Sequence, residues 1–328
     1  MYVLPDIFAQ AKTIAIFGHN NPDGDCLGAC LAFGKLCEHL SKQVTYFIPD
    51  GPSPQFAFLP ALAQFRTDFA YQWTYDMCVF LDVWGTNRVG NLRLNQPSYF
   101  LNQTTLVIDH HISNPWFGTH NIIDTDASST CEIVGELITT NYPALLDAEI
   151  ATALFMGLST DTGHFMFPSA TARTFSLANR LIEAGADKAT IIEHLYRSQS
   201  FASLQWTGML ITRLTKSTQG IRSRYATSEV NARWLDQESV GDSFIFQMTS
   251  IAHPGRYALF KIMDTDPVPH IRCSLRSSCD EIDVATLASK LGWGGHKRAS
   301  GVKINLDNRT PEQAIADTVT FFDTHCAG

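Results

Sequence analysis

A chain of 328 residues is long enough for about two domains. With 45% apolar and 17% charged residues it can bury a core, which excludes wholesale disorder, collagen-like repetition and a coiled coil. Twenty-four Lys and Arg against 32 Asp and Glu leave a net charge of −8, which argues against indiscriminate coating of nucleic-acid backbone; an anionic substrate has to be met by local basic groups or by metal.

No apolar run approaches the roughly 18 to 20 residues of a membrane-spanning helix. Residues 1–12 lack the basic start and apolar centre of a secretory signal. Eight cysteines are too sparse for a disulfide scaffold and form no CxxC pair. Cys26, Cys30 and Cys37 read as small buried hydrophobes on one helix, and the compartment as a reducing cytoplasm.

Residues 13–17 are a short β-branched apolar run ending at Gly18-His19, 26–40 have helical spacing, and 44–48 are strand-like before Pro49. Two more short apolar runs, 77–83 and 105–108, are buried-strand candidates. Ser129 and Glu132 form a capping-box pattern opening a helix to about Thr140, and 147–160 read as an apolar helix stopped near Asp161-Thr162-Gly163. This alternation predicts an α/β domain over 1–187, a mainly parallel sheet covered on both faces. Two helices are predicted between 171 and about 215, broken at Gly185; the second, from about Lys188, serves as a helical linker over 188–217. Beyond Gly220 the runs 221–226, 244–248, 257–263 and 271–276 read as strands. A helix at 284–291, a Gly-rich turn at 292–301, a strand at 302–306 and a helix at 311–323 follow. They predict a smaller mixed α+β domain over 218–328.

The chemistry-bearing residues fall at strand ends. His19-Asn-Asn-Pro-Asp23-Gly-Asp25 follows the first strand, Asp82 sits near the end of the third, Asp109-His110-His111 follows the fourth, and Asp161 lies just beyond a later helix. Ligands of open α/β sheets bind outside the carboxyl ends of strands, so the four clusters can meet on one edge. Taken singly, a strand-end Asp is more commonly a cap or turn residue, but four clusters in one topological position are not explained that way. Five aspartates and three histidines there would repel if left bare, and crowded carboxylates need cations. Histidine with several Asp and no Cys favours Mn²⁺ or a similar octahedral ion over a thiolate zinc site. Two such ions roughly 3.5–4 Å apart, with Asp82 bridging, can activate a water and clamp a phosphoryl oxygen.

His19-x₃-Asp23-x-Asp25, Asp82, Asp109-His110-His111 and Asp161-Thr-Gly resemble the four motifs of the DHH phosphoesterase superfamily. Gly294-Gly295-His296-Lys-Arg-Ala-Ser-Gly301 is similar to the glycine-rich motif of its DHHA1 domain, and Ser274-Leu-Arg276 to the strand that accompanies it. The similarity covers nearly the whole chain, and the length matches compact members of the oligoribonuclease and pAp phosphatase type. The resemblance implies that His19, Asp23 and Asp82 hold one divalent ion, and Asp25, Asp82, His110 and Asp161 a second. Mn²⁺ is the first choice, with Mg²⁺ or Co²⁺ as alternatives. It further implies that His111 faces the scissile phosphate as stabiliser or acid, with Asp109 beside or behind the metals.

Arg88 reads either as a surface charge or as a phosphate anchor. In the second domain, Ser274, Arg276, Gly294, Gly295, His296, Lys297 and Arg298 form an expected phosphate and base clamp around a turn whose backbone can approach phosphate. The family pattern usually has three or more glycines before the His, where this chain has Trp293; packing against the core is favoured for it over stacking on a base. His164 reads as a substrate contact or a rim residue, His253 and His270 as ordinary loop histidines, and Phe175, Tyr196, Phe201 and Trp206 as core. The expected activity is hydrolysis of short oligonucleotides, dinucleotides or nucleoside bisphosphates to nucleoside monophosphates, with cyclic di-AMP as a further substrate. Neither long duplex nucleic acid nor membrane is an expected partner, and a homodimer is left open. Rivals are a pyrophosphatase or exopolyphosphatase, a RecJ-like single-strand exonuclease, and a catalytically silent nucleotide-binding protein. The C-terminal motif argues against the first. The second would be expected to carry extra nucleic-acid-binding domains, and the third to have lost metal-site residues.

Overall fold

A computed structural model describes the chain except for residues 1, 70–73, 91–99, 101, 199, 218–219, 227–243, 246, 252–254, 265, 280 and 326–328. Packing divides it into two units, Met1–Ser198 and Gln199–Gly328. In the first, a short helix α1 (Asp6–Gln10) precedes the strands β1 (Thr13–Phe17), β2 (Gln43–Phe47), β3 (Phe65–Arg66), β4 (Met77–Leu81), β5 (Thr105–Asp109) and β6 (His120–Ile123). They pair in parallel in the order β3-β2-β1-β4-β5-β6. Strand order reverses between β1 and β4, and the crevice at such a switch point is where an open α/β sheet receives its ligand.

Both faces of the central strands β1, β4 and β5 are buried, which is why these read as continuous apolar runs. Ile14, Ile16, Val79, Leu81, Leu106 and Ile108 share a core with helices α2 (Gly24–His39), α3 (Thr130–Asn141) and α4 (Ala148–Asp161). The alternate residues Ala15, Phe17, Phe47, Phe80 and Val107 face the other side, where Phe17 stacks on Phe47 and on Phe80 with centroids 5.1 Å apart in both pairs. Each helix is opened by a side chain accepting from first-turn N–H groups that have no partner within the helix: Asp23 for α2, Ser129 for α3 and Asp147 for α4. The Glu132 carboxylate returns to Ser128 N at 2.5 Å, one residue before the N-cap that a capping box would engage. The helices close tightly at Gly157, where a Cβ would stand 2.2 Å from Cys131 Sγ and 2.8 Å from Asp25 Oδ1.

After α5 (Ala172–Glu183), the single connector expected from about 188 to 215 is instead two helices. α6 (Lys188–Tyr196) buries Ile191 in the first unit, and α7 (Phe201–Thr212) buries Trp206 and Leu210 in the second. Ser200 caps α7 by accepting from Ser203 N at 3.0 Å, and so starts a new helix. The second unit has β7 (Thr215–Ser217), β8 (Gly220–Ala226), β9 (Arg256–Met263), β10 (His270–Ser277), β11 (Gly295–His296) and β12 (Ala299–Asn305) in a mixed sheet, order β11-β12-β10-β9-β8-β7. Helices α8 (Val284–Ser289) and α9 (Pro311–His325) cover Ile271, Cys273 and Leu275 on one face.

Some expectations fail here. Phe244, Ile245, Gln247 and Met248 are helical rather than a strand, because Phe244, Ile245 and Met248 bury one helical face against Trp206 and Tyr257. His270 opens β10 and is 4% exposed, so it is no loop histidine; His253 lies outside the described residues. Trp206 is core, whereas Phe175, Tyr196 and Phe201 stand on helix surfaces, at least a third exposed. No helix among the described residues is long and apolar enough to cross a membrane.

Candidate active site

The carboxyl ends of β1, β4 and β5 carry His19, Asp82 and Asp109 to His111 to one sheet edge, while the first turn of α2 adds Asp25 and the end of α4 adds Asp161. Asp82 is the hub. Its Oδ2 lies 3.2 Å from His19 Nε2, and its Oδ1 lies 3.7 Å from His110 Nε2 and 3.5 Å from His111 Nδ1. Thr130 Oγ1 donates to the same Oδ1 at 3.0 Å. Its backbone is left-handed, with φ +59°, a strained state for a non-glycine residue. Asp25, wholly buried, accepts from Thr130 N at 2.7 Å and Cys131 N at 2.8 Å, the free N–H groups of the first turn of α3. His110 Nε2 also lies 3.3 Å from Asp161 Oδ2 and 4.0 Å from Asp25 Oδ2. Asp23 stands at the margin: its side chain is 55% exposed, 3.9 Å from His19 Nε2, and its Oδ1 is engaged in capping α2.

Ligand atoms of Asp25, Asp82 and His110 lie within 4.8 Å of one another, as do those of His19, Cys26 and Asp82. The thiol of Cys26 in that second trio was read only as a buried apolar group. His19 supplies the test of fit. Its Nδ1 bonds the Asn20 carbonyl at 2.8 Å, and Nε2 is buried without a hydrogen bond, so a lone pair faces the carboxylates. Imidazole nitrogen oriented from behind in this way, beside hard carboxylate oxygens, suits an octahedral divalent ion.

The acids are driven apart. Burial, then the charges of Asp82 and Asp161, raise Asp25 well above the carboxylate range. Burial, with the charges of Asp23 and Asp82, pushes Asp161 up to about 6 against the pull of His110. For Asp82 burial is outweighed by the imidazoles around it, first His19 at 3.2 Å and then His111 and His110, which hold its carboxyl well below the usual range. Neighbouring carboxyls separated like this are characteristic of functional sites.

His111 Nδ1 donates to Asp109 Oδ1 at 2.8 Å, which leaves Nε2 as the nitrogen available for proton transfer. Trp84 stacks on this imidazole with centroids 4.1 Å apart, and the Arg88 guanidinium lies 4.2 Å over the Trp84 ring. Arg88 is half-buried and reaches Asn20 O with Nη2 at 3.4 Å, so it is not a fully solvated surface charge. Trp84 went unnoticed in the sequence; its one signal is its place two residues after Asp82. His164 Nδ1 is held 2.9 Å from Ser159 Oγ, which also meets Tyr196 OH at 2.9 Å.

In the second unit, Ser274 and Arg276 lie two apart on β10, on the face opposite Cys273 and Leu275. His296 pairs with Ala299, and Ala299 with Arg276, so His296 and Arg276 form one cross-strand row with a small residue between them. Lys297 and Arg298 make the turn between β11 and β12. Gly295 has φ +153°, and a Cβ there would stand 2.6 Å from Ala299 O; the hairpin needs it. A Cβ at Gly294 would meet nothing within 4 Å. Trp293 is 47% exposed, contrary to the packing role favoured for it; it follows Gly292, where the chain leaves α8 through a left-handed residue with φ +80°.

Residues 13–158 match the family described as DHH family, N-terminal domain. Over 317 residues the chain is 24% identical to the bifunctional oligoribonuclease and PAP phosphatase NrnA of Bacillus subtilis (strain 168), covering 95% of this chain and 96% of that protein. It is 26% identical over 312 residues to the protein of the same name from Mycoplasma genitalium, covering 95% and 93%. Its fold is similar to that of an exopolyphosphatase-related protein from Bacteroides fragilis, with a TM-score of 0.87 and 22% identity over 98% of this chain and 94% of that one.

Proposed function

We propose, from the match of residues 13–158 to the DHH family's N-terminal domain, that the chain is a metal-dependent phosphoesterase releasing nucleoside monophosphates from short oligonucleotides, dinucleotides and nucleoside bisphosphates. The observation that carries this reading is Asp82, a strained, buried carboxylate whose two oxygens serve different histidines, His19 and His110, each with further acids beside it. His19, Asp23 and Asp82 would hold one divalent ion and Asp25, Asp82, His110 and Asp161 the other. Bound there, two such ions, Mn²⁺ or alternatively Mg²⁺ or Co²⁺, supply Lewis-acid chemistry, lowering the pKa of water and polarising a phosphoryl oxygen.

The chain's own groups do the rest. As the imidazolium, His111, oriented through Nδ1 by Asp109, would give its Nε2 proton to the leaving oxygen and be left as the neutral Nδ1–H imidazole. Arg88, seated on Trp84, neutralises a phosphate oxygen. Ser274, Arg276, His296, Lys297 and Arg298, with the backbone of Gly294 and Gly295, form a phosphate- and base-binding surface on the second unit. Relatives matching over more than nine-tenths of both chains carry oligoribonuclease and PAP phosphatase names, which supports nucleotide substrates over pyrophosphate. A net charge of −8 disfavours long duplexes. The test is a hydrolysis panel of pAp, pApA, cyclic di-AMP, a long duplex and pyrophosphate with Mn²⁺. AMP release from pAp and pApA is expected to outrun the last two; pyrophosphate cleavage without AMP release would refute the reading.

A further inference from the structure

Asn114 is 6% exposed and both of its polar side-chain atoms are engaged around the site. Its Nδ2 donates to Asp109 Oδ2 at 2.6 Å and to the carbonyl of Val83, the residue after Asp82, at 3.1 Å. Its Oδ1 accepts from Trp116 N at 2.8 Å. A flipped amide would set an oxygen against two acceptors and an NH₂ against a donor, so this orientation is locked. The other oxygen of Asp109 accepts from His110 N at 2.9 Å, His111 N at 3.3 Å and His111 Nδ1 at 2.8 Å. Asp109 thus receives hydrogen bonds on both oxygens and cannot turn without breaking one set.

We infer that Asn114 is a positioning residue: through Asp109 it holds the hydrogen bond from His111 Nδ1–H, so that Nε2 is the nitrogen that gives up the proton and the neutral ring left behind is the Nδ1–H tautomer. The inference rests on the reading of His111 as the acid for the leaving oxygen. It extends the machinery by a residue three positions beyond the histidine pair, whose side chain joins the ends of β4 and β5. The rival reading is that Asn114 merely closes the turn in which its own N–H meets His111 O at 3.1 Å.

Asn114→Asp separates the two, because it is isosteric and keeps the acceptor for Trp116 N, but turns an acceptor toward Asp109 and Val83 O. Nitrogen-15 NMR of histidine-labelled protein is expected to show His111 leaving the Nδ1–H tautomer. The kcat on pApA should fall about tenfold or more, with KM and Mn²⁺ affinity changed less than about twofold. Should that variant fail to fold, Asn114→Ser, which loses the reach to Asp109, carries the same expectation. The exchange D109N with N114D restores a donor–acceptor pair between the two positions and should recover the tautomer. An unchanged tautomer and kcat in a folded variant would overturn the inference. So would a loss of kcat with the tautomer intact and Mn²⁺ binding weakened, which would place Asn114 behind Asp82. If the parent protein cleaves none of the substrates, the functional reading fails, while the NMR result still decides the tautomer.

Discussion

A hydrogen bond of 2.8 Å from His111 to a carboxylate that is itself tied down on both oxygens is the reason His111 is proposed as the reacting histidine and the other two rings as ligands. His111→Ala is therefore expected to lower kcat by roughly 10²-fold or more with a smaller effect on KM, as steady-state kinetics on pApA would show. Arg276→Ala and His296→Ala should instead raise KM for a dinucleotide, and should matter much less for a small chromogenic phosphodiester that lacks the far end. Equal losses on both substrates, in folded protein, would contradict that division. The acids and histidines of the site were legible because residue type and strand-end position together carry the information. Trp84, Asn114 and Cys26 were not. Each has an ordinary residue type, and its contact depends on how the chain turns after Asp82, His111 and Asp25 (the first of these in a left-handed conformation that no local pattern announces).

Between elements, two contacts tie helices of the first unit to their neighbours. Gly157→Ala gains about 1 kcal/mol of helix propensity, yet its Cβ would collide with Cys131 Sγ and with Asp25. A net loss of about 1–3 kcal/mol in urea unfolding is expected, as for overpacked cores; a gain would contradict the packing described. Arg173 of α5 joins Glu136 of α3 at 2.6 Å, Asp124 after β6 at 2.9 Å, and Tyr2. Burial works against ionisation of Asp124, but the hydrogen bonds from Tyr2 and Arg173 outweigh it and hold its carboxyl below 3.8. Because the folded pKa is the lower one, the unfolded chain binds more protons in that window. The stabilisation is present above about pH 4 and is lost as pH falls through the folded value. Arg173→Ala should lower Tm more at pH 7 than at pH 3, and an equal drop at both would contradict the assignment. The parallel strands and the cap at Ser129 were readable from the sequence; the caps at Asp23 and Asp147 come from the structure. The two-residue β3 is too short for periodicity, and the half-buried β6 has no buried run. Residues 244–248 show how a short apolar run fits strand and helix alike.

For the whole molecule, an acidic chain that handles anions has to supply local positive charge, and it does so differently in its two units. The second offers Arg276, His296, Lys297 and Arg298 around a hairpin; the first gathers acids and histidines suited to divalent ions. The division at 198/199 falls inside what reads as one helical linker over 188–217, because the helices on either side differ in what they pack against rather than in composition. The most direct measurement follows AMP release from pApA by chelated protein, by the same protein after Mn²⁺ is added back, and by a folded Asp82→Asn variant with Mn²⁺. The chelated protein should be inactive, Mn²⁺ should restore it, and the variant should stay at the chelated level. Full activity after thorough metal removal, or an Asp82→Asn variant as fast as the parent, would contradict a phosphoesterase centred on Asp82.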